Sequence, residues 1–227
     1  MPERSEMTTR TALILGATGL VGGYCLQALL DDPDYSGVTA LTRKTLLVKH
    51  RKLKEAITPF DKFLERTLST INAKDIYCCL GTTIKKAGSQ EAFKNVDFSL
   101  VVKIAALMKK QGSEQFVVIS AIGASKDSKV FYSKTKGEME EALKGLDYPC
   151  LRIIRPSLLL GPRKEFRFGE RMSIITSPFW QMFLVGSLKK YKPVQAESVA
   201  RFMVKVAKSQ PISGVHIYES DMISNNS

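Results

Sequence analysis

Apolar residues in this chain come in short unbroken runs, separated by stretches in which they recur every three or four positions. The runs are TALIL at 11–15, VTALT at 38–42, a weaker one at 53–57, DIYCCL at 75–80, FVVIS at 116–120 and CLRII at 150–154, with a last one near 215–218. Runs this short, bounded by Gly, Pro or Asp, read as buried strands. Residues 20–30, 91–109, 134–144 and about 196–208 carry the helical period instead. In the longest of these, Phe93, Val96, Leu100, Val101, Ile104, Ala105 and Met108 form one buried face. Strands that are apolar throughout, rather than alternately polar, belong to a parallel sheet covered on both faces. The pattern therefore predicts an α/β fold, a doubly wound parallel sheet. After Arg155 the alternation fades, and a small C-terminal cap region at about 156–215 is expected on the same sheet.

Length and composition change this picture little. The 227 residues suit a single domain spanning 1–227, and 44% hydrophobic with 25% charged residues argues for a soluble globular chain over a disordered one. The apolar stretch 174–188 contains Ser177, Pro178 and Gly186, so no transmembrane segment is expected. Cys25, Cys78, Cys79 and Cys150 show no Cys-x-x-Cys spacing, which argues against a disulfide framework or a zinc site. The N-terminal MPERSEMTTR leads into an apolar stretch too short for a signal-peptide core. A reducing, cytoplasmic setting is the expectation.

A formal net charge of +12 attracts anions and leaves nucleotide phosphate, nucleic acid and acidic membrane open as partners. The excess lies in blocks at 43–54, 163–171 and 189–192. No nucleic-acid module and no basic stripe interleaved with aromatics is recognisable, so nucleic acid is not the expected partner.

Three groups of residues point to chemistry. Gly16, Gly19 and Gly22 form GATGLVG directly after the first strand and open the first helix. A pyrophosphate must sit on the exposed N–H groups of such a turn, and side chains would hold it off. The second strand ends in Arg43 and Lys44, where an NAD site would carry an acid for the ribose diol. Two cations suit a 2′-phosphate instead. One charge pair at about 4 Å has a gross attraction of about 4 kcal/mol before desolvation. NADP(H) is thus favoured over NAD(H). Finally, Tyr132 and Lys136 stand one helical turn apart, and an ammonium beside a phenol favours proton exchange with a carbonyl oxygen. Ser120, at the end of the fifth strand, offers a hydroxyl to that oxygen or merely caps the strand.

In this order the motifs ILGATGLVG, LTRK, CCLGTT, YSKTKGE and RPSLLLG resemble the atypical, NADPH-binding branch of the short-chain dehydrogenase/reductase superfamily, over nearly the whole chain. The resemblance implies a Rossmann-type fold in which Gly16, Thr18, Gly19, Leu20 and Val21 hold the pyrophosphate, with Gly22 completing the glycine pattern. It implies Arg43, beside Lys44, for the 2′-phosphate and Asp61 for the adenine. Leu80, Gly81 and Thr82 would line the adenosine and ribose, and Pro156, Ser157 and Leu158 would meet the nicotinamide. Tyr132 and Lys136 take the catalytic positions, with Ser120 as the accompanying serine. Family members commonly place a second serine where this chain has Ala121, and Ser125 is an outside alternative. The superfamily often dimerises through helices corresponding to 91–109 and 134–144, so a homodimer is implied, together with a small-molecule substrate of unidentified structure.

Two functions follow. One is an NADP(H)-dependent oxidoreductase passing hydride to or from a carbonyl-type substrate with Tyr/Lys acid–base chemistry. The other is an NADPH-binding regulator or sensor with little or no turnover. Phe168, Met172, Phe179, Trp180, Met182 and Phe183 are read either as an apolar substrate pocket or, more simply, as packing.

Overall fold

A computed structural model describes residues 9–60, 63–162, 191–209 and 213–224. In chain order the main elements are β1 (Arg10–Leu15), α1 (Leu20–Asp31), β2 (Tyr35–Thr42), β3 (Leu53–Ile57), α2 (Leu64–Leu68) and β4 (Asp75–Cys78). There follow α3 (Ile84–Ala87), α4 (Gln90–Lys94), a π-helical turn (Asn95–Ser99), α5 (Leu100–Lys110), β5 (Gln115–Ile119), α6 (Phe131–Lys144) and β6 (Cys150–Arg155). The described part ends with α7 (Ala196–Ala207), β9 (Gly214–Glu219) and α8 (Ser220–Ser224), preceded by a two-stranded pair, β7 (Leu159–Leu160) with β8 (Val194–Gln195).

Seven strands form one parallel sheet in the order β3-β2-β1-β4-β5-β6-β9. The chain runs outward from β1 to β3, then returns to β4 and runs out the other way. The strand order therefore reverses between β1 and β4, where a crevice opens at the carboxyl ends of the strands.

Along β1 the side chains alternate between two cores. Ala12 and Ile14 pack with Val21, Cys25 and Leu29 of α1 and with Val199 and Met203 of α7. Leu13 and Leu15 pack with Ile104 and Met108 of α5 and with Met139 and Leu143 of α6. Both faces are covered, which is why β1 shows no polar alternation.

The opposite end of the sheet is held by buried polar groups. Arg10 Nε donates to Asp75 Oδ2 at 2.6 Å and the Tyr35 hydroxyl donates to the same oxygen at 2.7 Å. Gln115 Nε2 donates to Asp75 Oδ1 at 3.2 Å, and its own Oε1 accepts from Arg152 Nε at 2.6 Å. The fully buried Arg152 is completed by the Tyr218 hydroxyl and the Ser209 carbonyl. A one-residue slip of β1, β4, β5 or β6 would orphan these groups, so the network fixes their register.

Two expectations need adjustment. The helix foreseen over 91–109 is divided by the π-helical turn. The second strand begins at Tyr35, because its ring is buried edge-on against Tyr77. The apolar and aromatic candidates Phe168, Met172, Phe179, Trp180, Met182 and Phe183 lie outside the described residues.

Candidate active site

The crevice at the strand reversal is a cleft of about 890 Å³, floored by the turn that joins β1 to α1. Gly16 sits at φ +79°, a left-handed conformation, and a Cβ there would lie 2.6 Å from the carbonyl oxygen of Cys79. Glycine is required twice over, by its dihedral and by the neighbouring strand. The Gly19 N–H closes the turn on the Gly16 carbonyl at 2.9 Å. α1 starts immediately after it with no acid in its first turn and no side-chain cap. Gly16, Thr18, Gly19, Leu20 and Val21 all line the cleft, so a helix N-terminus faces it with its positive end. Gly22 does not line it. A Cβ at that position would fall 2.0 Å from the Gly16 oxygen, so the third glycine serves helix packing.

At the end of β2, the Thr42 hydroxyl donates to the Lys44 carbonyl at 2.7 Å and shapes the turn that carries Arg43. Arg43 lines the cleft; Lys44 does not. Asp61 lies outside the described residues. Leu80, Gly81 and Thr82 after β4, and Pro156, Ser157 and Leu158 after β6, form further walls. The Ser157 hydroxyl donates to the Lys192 carbonyl and accepts from Ser220 Oγ, which ties this wall to the start of α8. Among the described residues the lining carries the cations Arg43, Lys86 and Lys136 and no carboxylate. A glycine cradle under a helix N-terminus with cationic walls fits a dinucleotide phosphate.

Tyr132 and Lys136 both line the cleft from α6. The helix reaches that position because Gly137 lets it touch the loop after β5, where a Cβ would stand 2.2 Å from the carbonyl carbon of Ser125. The Tyr132 ring packs against Phe93 at a centroid distance of 5.7 Å. Lys136 Nζ lies 2.8 Å from Asp97 Oδ1, with the two side chains only 4% and 1% exposed. The other Asp97 oxygen accepts the Thr82 N–H at 2.8 Å. Burial works against the Lys136 ammonium, but Asp97 and then Tyr132 outweigh it, so the pKa of Lys136 is raised. Asp97 belongs to the π-helical turn, an irregularity often found at functional sites.

Ser120 also lines the cleft, yet its hydroxyl donates to the buried Glu140. Glu140 in turn receives Arg155 Nε at 3.0 Å, and Arg155 Nη1 reaches Glu219 at 3.1 Å. The single proton of Ser120 is thereby directed into a structural ion-pair network. Ser125 does not line the cleft; its N–H donates to the Ser133 carbonyl at 3.1 Å. Asp97 and Glu140 were both missed from sequence, although each is an acid at helical spacing on a buried face, a pattern that calls for a buried cation.

Fold and cleft define an NAD(P)-binding protein of the Rossmann type. The chain belongs to the NAD(P)H-binding family, whose model matches residues 16–210, and to the atypical short-chain dehydrogenase/reductases. It is 34% identical over 206 residues to the protein FMP52, mitochondrial, of Candida albicans, covering 87% of this chain and 88% of that one. It is also 34% identical over 172 residues to the protein HTATIP2 of Rattus norvegicus, covering 74% and 70% respectively. Among solved structures, the UDP-glucose 4-epimerase of Thermotoga maritima shares the fold with a TM-score of 0.67 at 16% identity, over 92% of this chain and 76% of that one. These relatives correct one expectation. The FMP52 proteins of Candida albicans, Debaryomyces hansenii and Saccharomyces cerevisiae are named mitochondrial, which overturns the cytoplasmic setting inferred from the N-terminus and cysteines.

Proposed function

We propose that this protein is an NADP(H)-dependent oxidoreductase that passes hydride to or from a carbonyl-type small molecule. The observation that carries this reading is that Tyr132 and Lys136 face the same cleft as the glycine turn and Arg43. Gly16, Thr18, Gly19, Leu20 and Val21 would hold the pyrophosphate, and Arg43 the 2′-phosphate, with Lys44 as an outer charge. Leu80, Gly81 and Thr82 would line the adenosine and ribose, and Pro156, Ser157 and Leu158 would border the nicotinamide. The bound cofactor supplies the hydride. Tyr132 would give a proton to the carbonyl oxygen or take it back in reverse, while Lys136 would orient the ribose. Replacing Tyr132 by Phe should lower the rate of NADPH oxidation with a carbonyl panel by at least about 10²-fold and leave cofactor affinity unchanged. Unaltered turnover would remove Tyr132 from the chemistry.

A second reading, an NADPH-binding sensor with little turnover, is favoured by the Ser120 hydroxyl, whose proton is given to Glu140 instead of facing a substrate. Full NADPH binding with no reduction of any carbonyl by the wild type would favour it.

A further inference from the structure

The basic block after β2 is not used up by the proposed site. Between Thr42 and Glu55 the chain carries six cations, of which Arg43 alone lines the cleft, and no acid. Residues 43–52 connect two parallel strands, β2 and β3, and contain no helix. The segment is pinned on its inner side. Leu46 packs against the core beneath α1, its N–H donates to Glu55 Oε2 at 3.1 Å, and Lys52 Nζ donates to the Asp32 carbonyl at 2.7 Å. The next residue turns the other way. Leu47 is 103% exposed and Val48 38%, flanked by exposed Lys49, Arg51 and Lys54. The fold thus uses Leu46 and presents Leu47 and Val48 to solvent on a segment that also exposes Lys49, Arg51 and Lys54.

We propose that this crossover is a docking surface for an anionic lipid bilayer, with Leu47 and Val48 entering the acyl boundary and Lys49, Arg51 and Lys54 meeting the headgroups. Paired apolar and cationic side chains are what such an interface rewards, since burial and attraction to anionic lipid add. Nucleic acid would need the cations alone: the stretch 43–54 holds no Phe, Tyr or Trp on which a base could stack, and the ring of its half-buried His50 accepts the Lys52 N–H at Nδ1 at 3.2 Å. Two copies of this chain meeting through this surface would set like cationic blocks against each other, which disfavours a self-contact here.

The test is flotation of the full chain with vesicles of phosphatidylcholine alone or mixed with phosphatidylglycerol. Melting temperature serves as the check on folding. Binding is expected only to the mixed vesicles, with release at high salt. Leu47→Glu with Val48→Glu, and separately Lys49→Gln with Arg51→Gln, should each weaken it by about tenfold or more with the melting temperature unchanged. The proposal is overturned by no vesicle binding, by equal binding to phosphatidylcholine alone, or by binding that either double variant retains in full. Salt-sensitive binding to a single-stranded oligonucleotide that survives Leu47→Glu with Val48→Glu, without vesicle binding, would assign the cations to nucleic acid. Neither pair of residues lines the cleft, so the outcome is independent of the cofactor assignment.

Discussion

Lys136 Nζ and Asp97 Oδ1 form an ion pair at 2.8 Å, with the two side chains only 4% and 1% exposed. Because the second Asp97 oxygen holds the Thr82 N–H, one carboxylate fixes both Lys136 and a wall of the cleft. Asp97→Asn would leave a buried ammonium without its counter-charge, a loss of about 3–5 kcal/mol. In a chain of this size that corresponds to about 2–4 °C in melting temperature per kcal/mol. Adding Lys136→Met should recover part of the loss, as expected when the damage is an orphaned charge. Calorimetry of the single and double variants checks this, and additive losses would mean that the two residues act separately.

Arg43 is the cation at the end of β2 that reaches the cleft. A hydrogen bond to a charged group contributes about 1.5–3 kcal/mol, so Arg43→Ala should weaken NADPH binding by about tenfold to a hundredfold and NADH binding far less. Titration calorimetry with both nucleotides decides it, and equal losses would free Arg43 from the 2′-phosphate.

Ser120 separates a structural from a chemical serine. With its hydroxyl on Glu140, Ser120→Ala should reduce stability by about 1–3 kcal/mol and change the rate of any carbonyl reduction by less than about tenfold. A hundredfold fall in rate with unchanged stability, measured by urea denaturation and steady-state kinetics, would return the hydroxyl to the substrate.

Alkaline pH should destabilise the fold in a definite window. Burial pushes the Cys78 thiol up to about 12, against about 8.5 for an exposed cysteine. Between those values the unfolded chain has released a proton that the native chain keeps, so stability falls as pH rises, by up to about 1.4 kcal/mol per pH unit. Lys136 acts in the same direction: its pKa is raised, so its contribution is complete below about 10.4 and fades as pH climbs through the native value. Urea denaturation at about pH 8 and about pH 10.5 should show a smaller loss for Cys78→Ala than for the wild type. Equal losses would exclude Cys78 as a source.

The parallel sheet was readable because Ala12 and Ile14 serve one core while Leu13 and Leu15 serve the other, leaving a continuous apolar run. The glycine turn, Arg43, Tyr132 and Lys136 were readable because each sits at a fixed offset from a strand end or a helical turn. Asp97 was not. It falls four residues from both Phe93 and Val101 on the buried face, but its partner is 39 positions further along the chain, and only the folded helices bring the two together. The Ser120 to Glu140 contact was hidden for the same reason, since it depends on how α6 packs beside β5. The β7–β8 pair consists of two-residue strands with no local pattern, made by the Val194 N–H donating to the Leu158 carbonyl at 2.9 Å.

The most direct measurement is a titration of the purified protein with NADPH and with NADH, following nicotinamide fluorescence and, in parallel, melting temperature. Saturable NADPH binding with a rise in melting temperature, and a much weaker NADH response, is the predicted result. Absence of any response to either nucleotide would contradict the account, leaving the glycine turn as a packing device alone.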